Sequence, residues 1–494
     1  MPLSPIVEEM DESELTPSEP FASRRYSSPI MRKTWTEENK LQKFLDSEAA
    51  LAKAEAKNGL LSREVADEIG RKASISFVKL PRVNQIDGEI GHDVMARAEA
   101  LAEVCDGEAG KYVHLAATSY DIQDPAMGLL VGDSTDIVAA RGGDIVGVFL
   151  YLAERYADDL AVGRTHGQHA APDTIGRYFA RIASRLDARL ERIKREKGSF
   201  MIGKLRGIVG NRASYVDAVL HRIAKTPTNH SEEERQRSIE IARQIELDYL
   251  QELGLSHTEL ALDQVIPREV YADLLDEIRK YAEVMDKFGV DVRTKQRPEI
   301  NELQEPFRGS QVGSSANPSK RNPRHSENTG GVSPIVSELV DGFHFFISLW
   351  DERDLTNSAY ERFALPIIFQ ATDQINLNAY RVSSGLIVNP EQYRKNLELL
   401  HGMALSERFT NWLTLRGMPR VKAHNLFNYL TSEAARTGRP YDGVVRGDSQ
   451  VAQYLTPDEL EFLFNPATYI GDAREETLET VHRLRGKYTI FTPQ

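Results

Sequence analysis

Apolar residues recur at spacings of three and four along much of the chain, with charged residues between them. From Ile175 the apolar positions are Ile175, Tyr178, Phe179, Ile182, Leu186, Leu190 and Ile193. A second run of this kind extends from Val270 to Phe288, and residues 336–349 are apolar enough to be buried on several faces. Such spacings place side chains on one face of an α-helix. The pattern therefore predicts an all-α protein built around a bundle of long helices.

Three segments interrupt this helical pattern, at residues 118–125, 163–172 and 308–331. Clear strand alternation is scarce, and no Asn-Gly or Asp-Gly pair separates two convincing alternating runs. The segment 308–331 is dense in Gly, Ser, Asn and Pro, which favours turns and predicts an unusually long loop. Long loops inside compact helical domains are usually functional or disordered.

A length of 494 residues fits about three domains. The predicted division is an acidic mobile tail at 1–20, an N-terminal helical domain at 21–113, a central long-helix domain at 114–383 that carries the loop 308–331, and a C-terminal helical domain at 384–494. The strongly charged stretch 226–248 is predicted to be a solvated helical excursion between two bundle helices.

Charge and cysteine content exclude several classes of function. The 61 basic and 74 acidic side chains give a net charge of −13, which argues against general nucleic-acid binding but permits a local basic pocket. The longest conspicuous apolar run, residues 145–153, is far shorter than the ~20 residues that span a bilayer. The N-terminus lacks the features of a signal peptide, which predicts a cytoplasmic protein. Cys105 is the single cysteine, so neither an intrachain disulfide nor a thiolate metal cluster is expected.

Three clusters of residues could carry chemistry, and each has a plain structural alternative. The glycine-rich loop at 309–323 could surround an anion with backbone N–H groups and Lys320, or it could be a flexible surface loop. His166 suits general acid or base work near neutral pH, or it could be a hydrogen-bonded structural histidine. Arg353, Ser358 and Arg362 could converge on a phosphate, or the arginines could form surface salt bridges.

Read together, these segments resemble the aspartase/fumarase superfamily of lyases. The signature is G-S-S-A-x-P-x-K-R-N-P over 313–323, followed by Ser326-Glu327-Asn328. Supporting matches, in the family's order, are Arg25-Tyr26 with the following Ser-Ser-Pro-Ile-Met, His92-Asp93-Val94, Thr118-Ser119-x-Asp121, Gly163-Arg-Thr-His166 and the run 352–362. The resemblance implies three helical domains, a homotetramer held by the central helices, and active sites built from segments of three subunits. No cofactor and no metal are expected.

The resemblance also implies the reaction, a β-elimination that cleaves a C–N bond in a succinyl-amine and releases fumarate. Carried over by position, Ser314 is the general base, and Lys320 and Asn322 hold the substrate carboxylates. His166 is the general acid that protonates the departing nitrogen, with Glu327 fixing its tautomer. A hydroxyl can serve as base if loop N–H groups and a lysine stabilise its alkoxide.

The substrate implied by the strongest resemblance is a succinylated purine nucleotide. Phosphate contacts are then expected from Arg25, Tyr26, Arg353, Ser358 and Arg362, succinyl and base contacts from Thr118, Ser119, Thr165 and Gln264, and a second histidine at the nucleotide end from His92 beside Asp93.

Some positions depart from the family pattern. Asn317 replaces Met in the signature loop, Asn211 replaces Thr, and Pro267, Val270 and Tyr271 replace Gln, Arg and His in the segment that begins at Gln264. A second hypothesis is therefore a superfamily lyase that acts on another succinyl-amine or on a nitrosuccinate-type substrate. A third is a catalytically silent helical scaffold.

Overall fold

The computed structural model describes residues 26–307 and 309–490, and α-helices dominate these residues. The helices, in chain order, are α1 (Pro29–Thr34), α2 (Glu37–Lys57), α3 (Arg63–Lys72), α4 (Leu80–Ile90), α5 (Asp93–Val104), α6 (Ser119–Arg155), α7 (Ile175–Phe200), α8 (Ala213–Ile223), α9 (Glu232–Leu253), α10 (Glu269–Lys295), α11 (Arg324–Phe343), α12 (Thr356–Ser384), α13 (Pro390–Glu398), α14 (Ser406–Leu415), α15 (Arg420–Thr437), α16 (Tyr441–Arg446), α17 (Pro457–Phe464) and α18 (Ala473–Arg485). The predicted all-α class is confirmed. The predicted tail at 1–20 lies outside the described residues.

Two small antiparallel sheets accompany the helices in the described part of the chain. Strand β1 (Leu160–Thr165) pairs with β2 (Gln168–Thr174), and β3 (Leu303–Gln304) pairs with β4 (Ile387–Val388). The first pair lies where the sequence predicted a break in the helical pattern, and it forms a hairpin that the sequence pattern did not indicate.

The chain divides into two compact units. Unit 1 consists of Met1–Ala139, Arg192–Arg279 and Val332–Gln374, and unit 2 of Ala140–Glu191, Lys280–Gly331 and Ile375–Gln494. These boundaries fall inside long helices. The division into three domains stays a prediction.

The core of unit 1 packs helix α2 against α3, α5 and α9. Leu41, Phe44, Leu45 and Leu51 of α2 are fully buried there because they recur at helical spacing on its inner face. Thr36 caps the first turn of α2 by accepting a hydrogen bond from the Asn39 N–H.

Helix α9 corrects the prediction that 226–248 is a solvated excursion. Its N-terminal half is charged and mostly exposed, and Ser231 starts it with a capping box to Glu234. From Ser238 onward the helix packs into the unit 1 core through Ala242 and Ile245. The charged residues conceal a buried face because they occupy the other positions of the same helical turns.

Helix α6 corrects the predicted break at 118–125, because it begins at Ser119 and continues through Pro125. A proline inside a helix leaves the carbonyl four residues earlier without its N–H donor. That carbonyl belongs to Asp121, and it accepts a hydrogen bond of 2.9 Å from the Tyr249 hydroxyl of α9. The tertiary contact therefore replaces the missing helical bond.

Residues 336–349 only partly follow the prediction of burial on several faces. Val336, Val340 and Phe343 are fully buried, but Phe345 is 78% exposed and Trp350, just beyond, is 80% exposed. Helix α11 ends at Phe343 and a short 3₁₀ turn follows, which removes the later side chains from the core.

Unit 2 contains the first hairpin and two aromatic or apolar cores. Phe149 of α6 meets Phe288 of α10 edge-on at 4.9 Å between ring centroids and stacks near Phe179 of α7. The C-terminal helices α14 to α17 bury a separate cluster around Phe409 and Phe427. Among the described residues, none of the helices has the length and apolar composition needed to cross a bilayer.

Candidate active site

Unit 1 contains a pocket of about 800 Å³ that collects six of the predicted binding residues. The loop between α4 and α5, the start of α6 and the segment around the start of α12 form its walls. The predicted residues that line it are His92, Asp93, Ser119, Arg353, Ser358 and Arg362. The first and last of them, His92 and Arg362, are far apart in the sequence, so the fold alone brings them together.

Arg353 is held rigidly at this pocket. Its guanidinium lies 3.8 Å from the centre of the Tyr120 ring, and its Nη1 donates to the Gln264 side chain at 2.9 Å. Gln264 is itself fixed, since its amide nitrogen donates to the Ile208 carbonyl. The buried Nε of Arg353 has no hydrogen-bond partner among the described residues. Gln264 therefore positions the arginine and is not itself part of the pocket lining.

Arg362 and His92 also line the pocket. Nη2 of Arg362 donates to Asp93 at 2.7 Å. His92 caps helix α5 by accepting the Met95 N–H at Nδ1, which leaves Nε2 to carry the ring proton in the neutral tautomer. The N-terminus of α5 and two guanidinium groups make this pocket suited to an anionic group.

Thr118 lies beside the pocket but does not line it. Its N–H donates to the buried carboxylate of Asp121 at 3.0 Å. The same carboxylate accepts from the buried Lys204 ammonium at 2.6 Å and from the backbone N–H of Gly207. Asp121 thus fixes the start of α6 where Ser119 enters the pocket. Asp121 belongs to the Thr118-Ser119-x-Asp121 motif, but its partners Lys204 and Gly207 lie more than 80 residues away, so no local sequence pattern indicates this contact.

Two further predicted phosphate contacts, Arg25 and Tyr26, precede helix α1 in the chain. Tyr26 is described, and its backbone carbonyl accepts from Arg32, but it is not among the lining residues. Arg25 lies outside the described residues.

His166 stands at the tip of the β1–β2 hairpin in unit 2. It adopts a left-handed conformation with φ of 53°, and Gly167 follows with φ of 75°. Two consecutive positive φ values are typical of the tight turn that suits the twist of a hairpin. Thr165 and His166 are both exposed. The turn therefore presents the imidazole outward on a short, stiff support.

A buried charge cluster holds this hairpin just below its tip. Arg164 donates two hydrogen bonds to Glu302, at 3.0 and 2.6 Å. Lys295 and Asn396 also donate to this fully buried carboxylate. Burial opposes the charge of Glu302, but the hydrogen bonds from Arg164 and the charge of Lys295 prevail and lower its pKa. Glu302 lies 138 residues from Arg164 in the chain, so no local sequence pattern connects the two.

Ser314 lies in the signature loop of unit 2, and its hydroxyl oxygen accepts two backbone hydrogen bonds. The donors are the N–H groups of Ala316 at 3.3 Å and Asn317 at 3.2 Å. Asn322 closes the loop by donating to the Gly313 carbonyl at 3.0 Å. A Cβ at Gly313 would lie 2.0 Å from the Lys320 carbonyl, so only glycine fits there. The loop is a closed turn around Ser314, with Lys320 exposed on it.

Glu327 is exposed in the first turn of α11. In the described part of unit 2, no hydrogen bond joins its side chain to that of His166. The predicted pairing of these two residues is thus not made within the described part of one chain and stays a prediction.

Tyr271, one of the departures from the family pattern, is fully buried in unit 1. Its ring lies edge-on to Phe200 and stacked near Phe343. Neighbouring Arg268 is buried in ion pairs with Asp124 and Glu361, at 2.9 Å each. These positions belong to the core of unit 1 and do not line its pocket.

Two protein-family models match this chain. A lyase family model matches residues 24–337, and a model of the adenylosuccinate lyase C-terminus matches residues 402–477. The chain is thus an enzyme of the lyase class.

Two archaeal relatives narrow the class further. The adenylosuccinate lyase of Pyrococcus abyssi is 40% identical over 91% of this chain and 94% of its own length. That of Methanocaldococcus jannaschii is 40% identical over 94% of this chain and 95% of its own length. The chain belongs to the adenylosuccinate lyase family.

The fold is shared more widely than this family. A crystal structure of 3-carboxy-cis,cis-muconate lactonizing enzyme from Pseudomonas putida matches with a TM-score of 0.81 and 25% identity, over 95% of this chain and 99% of the other. The architecture thus accommodates more than one reaction, and the substrate has to be argued from the site.

Proposed function

We propose that the enzyme cleaves adenylosuccinate to AMP and fumarate, and its imidazole-ribotide analogue SAICAR to AICAR and fumarate, in purine nucleotide biosynthesis. The observation that carries the proposal is the 40% identity to adenylosuccinate lyases over more than nine-tenths of the chain. The unit 1 pocket, called the nucleotide pocket from here on, supports it, because Arg353, Ser358 and Arg362 can receive a nucleotide phosphate. Arg25 and Tyr26 complete this phosphate site in the proposal.

Ser314 is the proposed base. The Ser314 alkoxide takes the proton from the substrate carbon beside a carboxylate. The N–H groups of Ala316 and Asn317 donate hydrogen bonds to the alkoxide oxygen and stabilise its negative charge. Lys320 and Asn322 hold the substrate carboxylates. The negative charge left by proton removal spreads into the adjacent carboxylate, where the Lys320 charge and the Asn322 N–H groups stabilise it.

His166 is the proposed acid. The electron pair of the broken C–H bond forms the double bond of fumarate, the C–N bond breaks, and the departing nitrogen takes a proton from His166. Glu327 orients the imidazole from another subunit, and Thr118, Ser119 and Thr165 contact the succinyl group and the base. His92 and Asp93 border the nucleotide end.

The proposal includes a cytoplasmic homotetramer whose active sites combine segments of several subunits. The supporting observation is a set of large apolar side chains on unit 1 that are strongly exposed, namely Phe345, Trp350, Leu355 and Phe363. Such a group is unusual for a monomer surface and typical of an interface.

Fumarate release from adenylosuccinate and from the imidazole ribotide, followed by ultraviolet absorbance and chromatography, tests the function. Wild-type enzyme is expected to convert both substrates. Ser314→Ala should lower kcat by at least about 10³-fold with an unchanged helical circular-dichroism spectrum. Ser315→Ala, which removes the adjacent hydroxyl, is the matched control and should retain most activity. No fumarate from either nucleotide, or near-normal turnover of Ser314→Ala, would contradict the proposal.

The alternative substrates are not favoured. Tyr271, one of the three departures in the segment that begins at Gln264, is buried against Phe200 and so alters a core contact. Turnover of a nitrosuccinate but of neither nucleotide would revive that hypothesis.

A further inference from the structure

A second, smaller cavity of about 290 Å³ lies in unit 1 beside the nucleotide pocket. It is formed by residues of α2, α5, α6 and α12 together with Trp35, and we call it the α2–α6 cavity. Phe44 and Leu130 give it an apolar wall, and Gln123 and Arg362 line both this cavity and the nucleotide pocket. A dry apolar cavity of about 150 Å³ admits benzene, so this one has room for a substituted ring.

Two polar atoms of this lining are buried without a hydrogen-bond partner in the described part of the chain. They are Nε1 of Trp35, a residue that is only 6% exposed, and Oε1 of Gln123. A buried polar atom without a partner costs roughly 1–3 kcal/mol, so such atoms usually have a ligand or water. The cavity thus offers one unused donor and one unused acceptor.

The charge at one end of the cavity favours an anion. Asp93 is the shared partner of two guanidinium groups, with 2.7 Å to Arg362 and 3.6 Å to Arg97. One carboxylate between two guanidiniums leaves a net positive charge. Arg97 is the one with the longer ion pair, and its side chain is only 20% exposed and lies 5.5 Å from the Phe44 ring. A carboxylate in the cavity would gain a charge-assisted hydrogen bond there.

The other charged groups of the lining are already paired. Lys40 binds Glu37 at 2.7 Å, and Glu361 accepts from Asn357 at 2.8 Å and pairs with Arg268 at 2.9 Å. Arg268 is shared between Glu361 and Asp124, so it compensates Glu361 only in part. Burial raises the pKa of Glu361 above its ordinary value, which reduces the negative charge that a carboxylate in the cavity would meet.

We propose that the α2–α6 cavity is a binding site for a small aromatic monocarboxylate. The carboxylate binds Arg97 and the Trp35 N–H, the ring packs on Phe44 and Leu130, and a hydroxyl or amino substituent donates to Gln123. Because the ligand competes with Asp93 for Arg97, it strengthens the pairing of Asp93 with Arg362. This coupling rests on the proposed function. It predicts that Arg362 binds phosphate more weakly when the cavity is occupied. By linkage, the cavity should bind its ligand more weakly when AMP is bound.

Isothermal titration of the full-length protein with 4-hydroxybenzoate, benzoate and neutral benzyl alcohol tests the site. We expect one 4-hydroxybenzoate per chain, weaker binding of benzoate, and binding of benzyl alcohol at least about tenfold weaker. Trp35→Phe removes only the N–H donor and should weaken 4-hydroxybenzoate about fivefold. Arg97→Gln should weaken it about tenfold or more. Trp412→Phe, a tryptophan change in unit 2, is the matched control and should bind like wild type.

The outcomes separate this site from the nucleotide pocket. Absence of 4-hydroxybenzoate binding, or wild-type affinity in both Trp35→Phe and Arg97→Gln, would overturn the proposal. The titration measures binding and needs no turnover. It can therefore show no binding in an enzyme that releases fumarate, or binding in a protein that releases none. Equal 4-hydroxybenzoate affinity with and without saturating AMP would overturn the coupling to Arg362.

Discussion

At the scale of single residues, buried polar groups in this enzyme serve as positioning devices. Asp121 holds both Thr118 and the segment at Lys204, and Glu302 holds Arg164 below the hairpin tip. A buried carboxylate is costly unless donors surround it. Both carboxylates meet that requirement, and each supports a segment predicted to carry function.

Glu55 of α2 is a carboxyl that is only 1% exposed. Burial, and then the nearby charge of Glu48, raise the pKa of Glu55 well above its ordinary value of 4.5. Its Oε1 has no hydrogen-bond partner in the described residues. The folded chain therefore keeps a proton that the unfolded chain releases above about pH 4.5, and stability is lost as the pH rises through the folded pKa.

We expect Glu55→Gln to raise the melting temperature relative to wild type at about pH 8, with a smaller gain or none at about pH 4.5. The amide resembles the protonated acid and does not ionise, so the advantage must grow with pH. Thermal unfolding followed by circular dichroism at the two pH values measures it. The exposed change Glu240→Gln is the control. The same difference in melting temperature at both pH values would contradict the buried-acid explanation.

At the scale of elements, the helices were predictable and the hairpin was not. Helices α7 and α10 follow directly from the spacing of three and four, because each buries one continuous face. The hairpin β1–β2 has a His-Gly turn and a bulge between Gly163 and Arg164, so neither turn nor alternation matched a strand pattern. Its stability depends on Glu302 and Asn396, which no local pattern connects to it.

Weakening the contacts of Glu302 should misplace His166 at the hairpin tip and slow the reaction. Glu302→Gln keeps the size of the side chain but removes the charge that Arg164 and Lys295 share. A misplaced catalytic group can cost up to about 10²-fold in rate, so we expect kcat to fall by about 10- to 100-fold with little change in KM. Steady-state kinetics with adenylosuccinate measures both constants. Glu299→Gln, in the same connecting segment, is the control. A rise in KM at unchanged kcat would assign Glu302 to substrate binding instead.

The candidate site likewise combines contacts between residues close in the sequence with contacts between residues far apart. The signature loop was recognised from contiguous residues, and its closed turn around Ser314 depends on neighbours close in sequence. The nucleotide pocket, in contrast, needed Asp93 and Arg362 to meet across 269 positions. Resemblance could name these residues, but only the fold could state which of them line one pocket.

At the scale of the whole molecule, each unit of a single chain carries part of the proposed machinery. Unit 1 has the nucleotide pocket, and unit 2 has the hairpin with His166 and the loop with Ser314. Within the described residues of one chain, Glu327 and His166 do not pair, although the proposed mechanism needs them together. The proposed assembly of each active site from several subunits would bring the two residues together.

Mixed assemblies provide a direct check of shared active sites. Ser314→Ala and His166→Ala should each be inactive, and mixing them through denaturation and refolding should restore activity. If different subunits supply the two residues, about a quarter of the sites in an equal mixture are intact. Fumarate release and light scattering on the same sample measure activity and mass. Refolding each variant alone is the control. No recovery in a mixture that does form tetramers would mean that one chain supplies both residues.

The proline inside α6 has a consequence for how such chains can change over time. Pro125 is tolerated because the Tyr249 hydroxyl supplies the hydrogen bond that the Asp121 carbonyl lacks. Loss of that hydroxyl by itself should be harmful, whereas in a chain that already carries Pro125→Ala it should cost little, because the restored N–H takes its place. The two positions are therefore coupled in their evolution, and aligned sequences should lose Tyr249 mainly where Pro125 is already gone.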